Sequence, residues 1–137
     1  MELVLTDGAR TTAGILLIAL VTVESGGLYM LRLVRGQQPV TPFQVSFARA
    51  GHAHAGVLVS LALICQLFAG AAGLEGALGW VARDGVALAA ILMPAGFFFS
   101  SMGRGREFPS RWIVLVYAGA VSLALGVTTL GIGLLIA

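Results

Sequence analysis

The sequence predicts an all-α membrane protein, a four-transmembrane-helix bundle with both termini on the outer side. Three observations carry this expectation. Hydrophobic residues make up 58% of the chain and charged ones 10%, against roughly 45–50% and 25% in ordinary soluble domains. Mean hydropathy is +0.99. Four apolar runs, at about 11–34, 44–73, 85–103 and 111–137, are each long enough to cross a ~30 Å hydrocarbon core as a helix. A membrane β-barrel would instead show alternating segments of ~10 residues, and none is present.

The first run follows the mixed stretch "MELVLTDGAR" rather than a basic leader, and no small-residue cleavage site precedes a polar start. It therefore reads as a retained span, not a signal peptide. It closes in "LRLVRGQQPVTPF", where Gly36, Pro39 and Pro42 break the helix. The second span starts near Gln44. The stretch "AAGLEGALGWVARDG" reads as an outer loop with Trp80 at the interface, and the third span holds Pro94, an expected kink. "GRGREFPSR" forms the second inner loop, and Trp112 opens the fourth span. The whole, residues 1–137, reads as one four-span domain whose function lies in or between helices. Glycine is frequent, 19 residues in all, and lets helix backbones approach closely. The lone cysteine, Cys65, falls inside the second span and reads as a small buried residue.

A pI near 9.3 could suggest nucleic acid, but the distribution of charge points elsewhere. All eight basic residues are arginine. Arg32, Arg35, Arg49, Arg104, Arg106 and Arg111 flank the connections between spans 1 and 2 and between spans 3 and 4. Only Arg10 and Arg83 lie on the other side. The excess of arginine near short loops marks the inner side and places both termini outside. The expected location is a cell membrane, that of a bacterial inner membrane, crossed several times.

Few groups inside the spans can carry chemistry. Glu24 lies ten residues before Val34, and His54 ten residues after Gln44. At 1.5 Å per residue both sit about 15 Å from the inner ends of their helices. Ionisable groups at that depth are costly, by roughly 2.5–3.5 kcal/mol or more, and call for a partner and a role. Adjacent antiparallel helices could bring these two together. His52 and His54 stand about 200° apart around a helix, so they cannot chelate one metal ion. A cofactor asking for one axial imidazole and an apolar slot suits them better than copper or zinc, and haem is the common one. A histidine that only hydrogen-bonds across helices is the plainer alternative for each.

The residues around these histidines resemble a known family. "AHAGVLVS" (53–60) is similar to the second-span motif A-H-S-G-P-A-L-N of styrene oxide isomerase. It is also similar to the H-x-x-G-x-x-N form of the hydroxylaminobenzene mutases. "AGILLIALVTVESGGLYM" (13–30) resembles the isomerase's H-G-I-L-M…G-V-G-L-W-M, and "GFFFS" (96–100) its G-F-Y-L-F. The resemblance implies a four-helix subunit assembled as a homotrimer, with haem b held between subunits by one histidine. It implies ferric iron acting as a Lewis acid on an epoxide, ring opening, and hydride migration to an aldehyde. His54 would be the axial ligand; aligning "ARAGH" with the family's A-R-A-H would make it His52 instead. Keeping the spacing of Gly56 and Ser60 favours His54. The family's substrate-orienting asparagine stands here as Ser60 and its third-span tyrosine as Phe98. Its first-span histidine is Ala13, and Glu24 replaces an apolar residue.

The expectation is a homo-oligomeric haem b isomerase or mutase of a small lipophilic substrate, with no nucleic-acid partner. Glu24 would serve as proton shuttle or hydrogen-bond partner and Ser60 would face the substrate. Arg49, Arg104, Arg106 and Arg111 would pair with haem propionates. Two other classes remain: a haem protein for electron transfer or gas sensing, and a small membrane subunit without cofactor.

Overall fold

A computed structural model describes residues 5–137. Helix α1 spans Asp7–Val34, α2 Pro42–Ala69, α3 Gly76–Ser101 and α4 Val114–Ile136, the last entered through one 3₁₀ turn at Arg111–Ile113. All four are long and apolar enough to cross a membrane. They pack as an up-and-down bundle. α3 is central, lying along α2 on one side and α4 on the other, while α1 rests on α2 and scarcely touches α3.

The helix ends follow from local chemistry. The Thr6 hydroxyl caps α1 by accepting from the Ala9 N–H. At the other end Gly36, with φ of 67°, turns the chain in the left-handed region that glycine enters without a Cβ penalty. There the Gly36 N–H donates to the Leu33 carbonyl and the Gln37 N–H to that of Arg32, which closes a Schellman motif. Pro42, expected as a breaker, is instead the first residue of α2. Thr41 and Gln44 form a reciprocal capping box around it, and proline at that position gives up only an N–H that has no helical partner.

The largest departure from the sequence reading is the start of α3. The stretch expected to be an outer loop up to residue 85 is helical from Gly76, leaving only residues 70–75 as the connection. Arg83 and Asp84 therefore lie about two turns inside the helix. Their side chains form an ion pair at 2.8 Å, which lets an apolar helix carry both charges. α3 also continues through Pro94.

The core is built from small residues. Ala62, Val86 and Ala89 are inaccessible, with Leu58, Cys65 and Met93 around them. Close helix approach explains this choice. A Cβ added to Gly85 would stand 2.9 Å from the Gly126 Cα, and one on Gly96 2.6 Å from the Val116 nitrogen. Helices in lipid gain from such backbone proximity because burying apolar side chains against one another offers little over lipid. By contrast α1 buries almost none of its apolar window fully.

Candidate functional site

Contacts between α1 and α2 give their register. The ring of His52 sits against Gly26 and Gly27, where added Cβ atoms would lie 3.3 and 3.6 Å from it. Further along, a Cβ on Gly56 would meet Val23 at 3.9 Å. The two helices run antiparallel, so Glu24 stands level with His54 and Ala55. Equal height does not bring the side chains together. His52, not His54, faces α1, because the two-residue step turns His54 about 200° away. The approach of Glu24 to His54 expected from depth alone does not occur in the structure.

His54 is half-buried on the side of α2 that meets α3. One turn earlier Gly51 permits close contact with α3, since a Cβ there would lie 3.0 Å from the Phe98 ring. The His54 ring lies beside that of Phe97, with centroids 5.0 Å apart and planes inclined by 36°. Phe47 extends this aromatic wall at 5.5 Å from Phe97. The His54 Nδ1 is 2.7 Å from the Ala50 carbonyl. A carbonyl only accepts, so Nδ1 carries the proton, and in the neutral ring Nε2 keeps its lone pair. This is the arrangement that prepares an imidazole as a metal ligand.

The other expected residues are distributed around this ring without meeting it. Glu24 is exposed on the outer face of α1 and takes part in neither ion pair found among the described residues. Ser60 is exposed on a stripe of α2 shared with Arg49, Ala53, Val57 and Ile64. Its hydroxyl donates to the Gly56 carbonyl at 2.9 Å, so it can offer a substrate only its lone pairs. Six residues turn it about 120° from His54, and the two do not share a face.

The arginines at the far end of the bundle are free of carboxylates among the described residues. Arg106 Nε donates to the Met102 carbonyl at 2.9 Å, and Arg111 lies 5.8 Å from the Trp112 ring. Both border a cavity of about 710 Å³ with Phe99, Met102 and Trp112. Arg104 is exposed in the connecting loop and Arg49 on α2.

The donor set bears on what could bind. Among the described residues no three His, Cys, Asp or Glu side chains cluster as a metal site. A planar group bringing its own equatorial donors and asking for one imidazole does fit His54, its free Nε2 and the Phe97–Phe47 wall. One cavity between the helices is lined by His52 and another by Arg106 and Arg111; His54 lines neither.

Sequence reasoning missed a polar cluster at the end of the bundle that holds the termini. The Thr12 hydroxyl donates to Asp84 at 3.2 Å and Arg83 Nε to Asp84 at 2.9 Å. Gln66, only 1% exposed, donates its amide to the Arg83 carbonyl at 2.7 Å. The cluster ties α1, α2 and α3 together. The signal was the Arg83–Asp84 pair beside an apolar run, which a loop reading absorbed. Asp84→Leu would leave the Arg83 guanidinium and the Thr12 hydroxyl without their acceptor. Lost hydrogen bonds to a charged group cost roughly 1.5–3 kcal/mol, and the expected result is a lower unfolding midpoint in detergent.

No protein-family model, curated protein or solved structure matches the chain.

Proposed function

We propose that the protein is a membrane haem b-dependent isomerase or mutase of a small lipophilic substrate. In this reading it works as a homo-oligomer, a trimer by its resemblance to styrene oxide isomerase, in a bacterial inner membrane with both termini outside. The observation that carries the proposal is the hydrogen bond from His54 Nδ1 to the Ala50 carbonyl. It fixes the tautomer and leaves Nε2 as the donor on a half-open, aromatic-walled face.

Ferric haem b, when bound, would supply a Lewis acid for the substrate oxygen. The chain's own contributions are positional and protic. His54 anchors, Phe97 and Phe47 exclude water, and the unpaired arginines at the inner end offer cations to carboxylate groups. Glu24 and His54 stand at one height on different sides of the subunit. A carboxyl facing lipid at that depth is costly, and a head-to-tail ring of copies would give both residues partners. Glu24 of one copy would then stand at the His54 face of the next, where its carboxyl could hold or move a proton at the substrate oxygen. Ser60, turned about 120° from His54 and with its proton held by the Gly56 carbonyl, stands apart from that face.

The purified protein, supplied with haem, is expected to convert an aryl epoxide to the corresponding aldehyde. Glu24→Gln keeps hydrogen bonding but cannot transfer a proton. It is expected to lower turnover on the order of 10²-fold, the scale of general acid–base assistance, with haem content and oligomer size unchanged. Unchanged turnover would reduce Glu24 to a contact between helices. Haem binding without turnover of any epoxide would favour the electron-transfer or sensing class.

A further inference from the structure

We infer that His52 forms the polar point of a second site, a crevice for a neutral, ring-sized lipophile carrying one hydroxyl or carbonyl oxygen. The crevice lies between α1, α2 and α3, on the side of α2 turned away from His54. One part of it is a cavity of about 280 Å³ walled by Val23, Ala55, Ala90, Ile91 and Pro94 as well as His52. Gly26 and Phe98 line both this cavity and a second one of about 490 Å³, which also takes in Tyr29, Leu33 and Ala48. The two adjoin at these shared residues. Because α1 scarcely touches α3, both are bordered by a little-closed seam of the bundle.

The chemistry of the occupant follows from what the walls leave uncommitted. Gln44 spends its amide nitrogen on the Ser101 and Gly103 carbonyls and its oxygen on the Thr41 N–H. Ser101 donates to the Phe97 and Phe98 carbonyls, and Thr22 to that of Ala19. The Tyr29 hydroxyl, at the cavity without His52, belongs to a side chain 40% exposed; His52 is the uncommitted polar group of the other cavity and, unlike His54, makes no such bond to its own helix. Gly26 and Gly27 leave room for its ring, and a neutral imidazole there offers one N–H and one lone pair. No charged side chain lines either cavity, so a charged ligand would be desolvated without a counter-ion. An uncharged body with a single oxygen meets both conditions. The site requires no haem, and its occupant needs no access to His54.

The test uses the full chain in nanodiscs, with 2-naphthol and naphthalene as probes followed by their fluorescence. The two share a ring system and differ by one hydroxyl. His52→Leu is expected to weaken 2-naphthol binding about tenfold, the scale of one lost buried hydrogen bond, and to change naphthalene binding less than about twofold. His52→Gln, which retains both donor and acceptor, is expected to recover most of the naphthol affinity. Ala55→Phe, which fills the cavity at His52, should abolish binding of both. His54→Ala should change neither. Equal loss of both probes in His52→Leu, no loss in either, or binding no stronger than to empty nanodiscs would overturn the proposal. So would a naphthol effect that follows His54 instead. Haem content measured on the same variants separates this result from the haem reading, since His52→Leu is expected to keep its haem.

Discussion

Replacing His54 by alanine is expected to abolish stoichiometric haem retention, while His52→Ala leaves most of it. The two histidines are two residues apart and equally apolar in setting, so composition and local hydropathy do not separate them. Orientation does. His54 has its Nδ1 engaged by Ala50 at 2.7 Å and its ring beside Phe97, whereas His52 is turned onto the glycines of α1. In the proposed reading one imidazole bond would be the protein's only covalent hold on the haem, so its loss would not be a graded effect. Haem per subunit, measured as a pyridine haemochrome, reads the outcome. If His52→Ala loses haem and His54→Ala keeps it, the register "ARAGH" is the right alignment and the site belongs to the other face of α2.

Gly85→Leu is expected to destabilise the bundle by about 3 kcal/mol or more. Overpacking a formed core typically costs ~1–3 kcal/mol, but those cases let side chains give way. Here the first new atom would stand 2.9 Å from the Gly126 Cα and 3.3 Å from the Ser122 carbonyl oxygen. Backbone cannot rotate aside, so α3 and α4 would have to separate. That separation would also stretch the 2.7 Å hydrogen bond from the Ser122 hydroxyl to the Gly85 carbonyl. For a chain of this length the change corresponds to roughly a 10 °C fall in unfolding midpoint. Gly131→Leu in α4 is the control, because a Cβ there meets nothing within 4 Å; its midpoint should move little. Similar falls in both would mean that glycine serves α4 through flexibility rather than through close approach.

The four spans were legible because hydropathy alone decides whether a long helix is at home in lipid. Their edges were less so. Arg83 and Asp84 looked like loop residues, yet they neutralise one another while the Arg83 carbonyl takes a bond from Gln66, and α3 starts nine residues earlier than the run at 85 suggested. Pro42 looked like a breaker because its role depends on the capping box formed with Thr41 and Gln44. The opposed directions of His52 and His54 could be read from helix geometry. Which neighbour each one met could not, since that depends on the rotation of α2 against α1 and α3. For the same reason counting residues placed Glu24 and His54 at one height but said nothing of their facing. Ser60 illustrates the point again: its spacing from His54 matched a family motif, yet the helix turns it to another side.

The most direct measurement is the absorbance spectrum of the wild-type protein, purified from cells supplied with haem precursor. The account predicts a Soret band corresponding to one haem per subunit, with features of a five-coordinate, high-spin ferric iron bound by one imidazole. No Soret band, even after addition of haem to the purified protein, would contradict it.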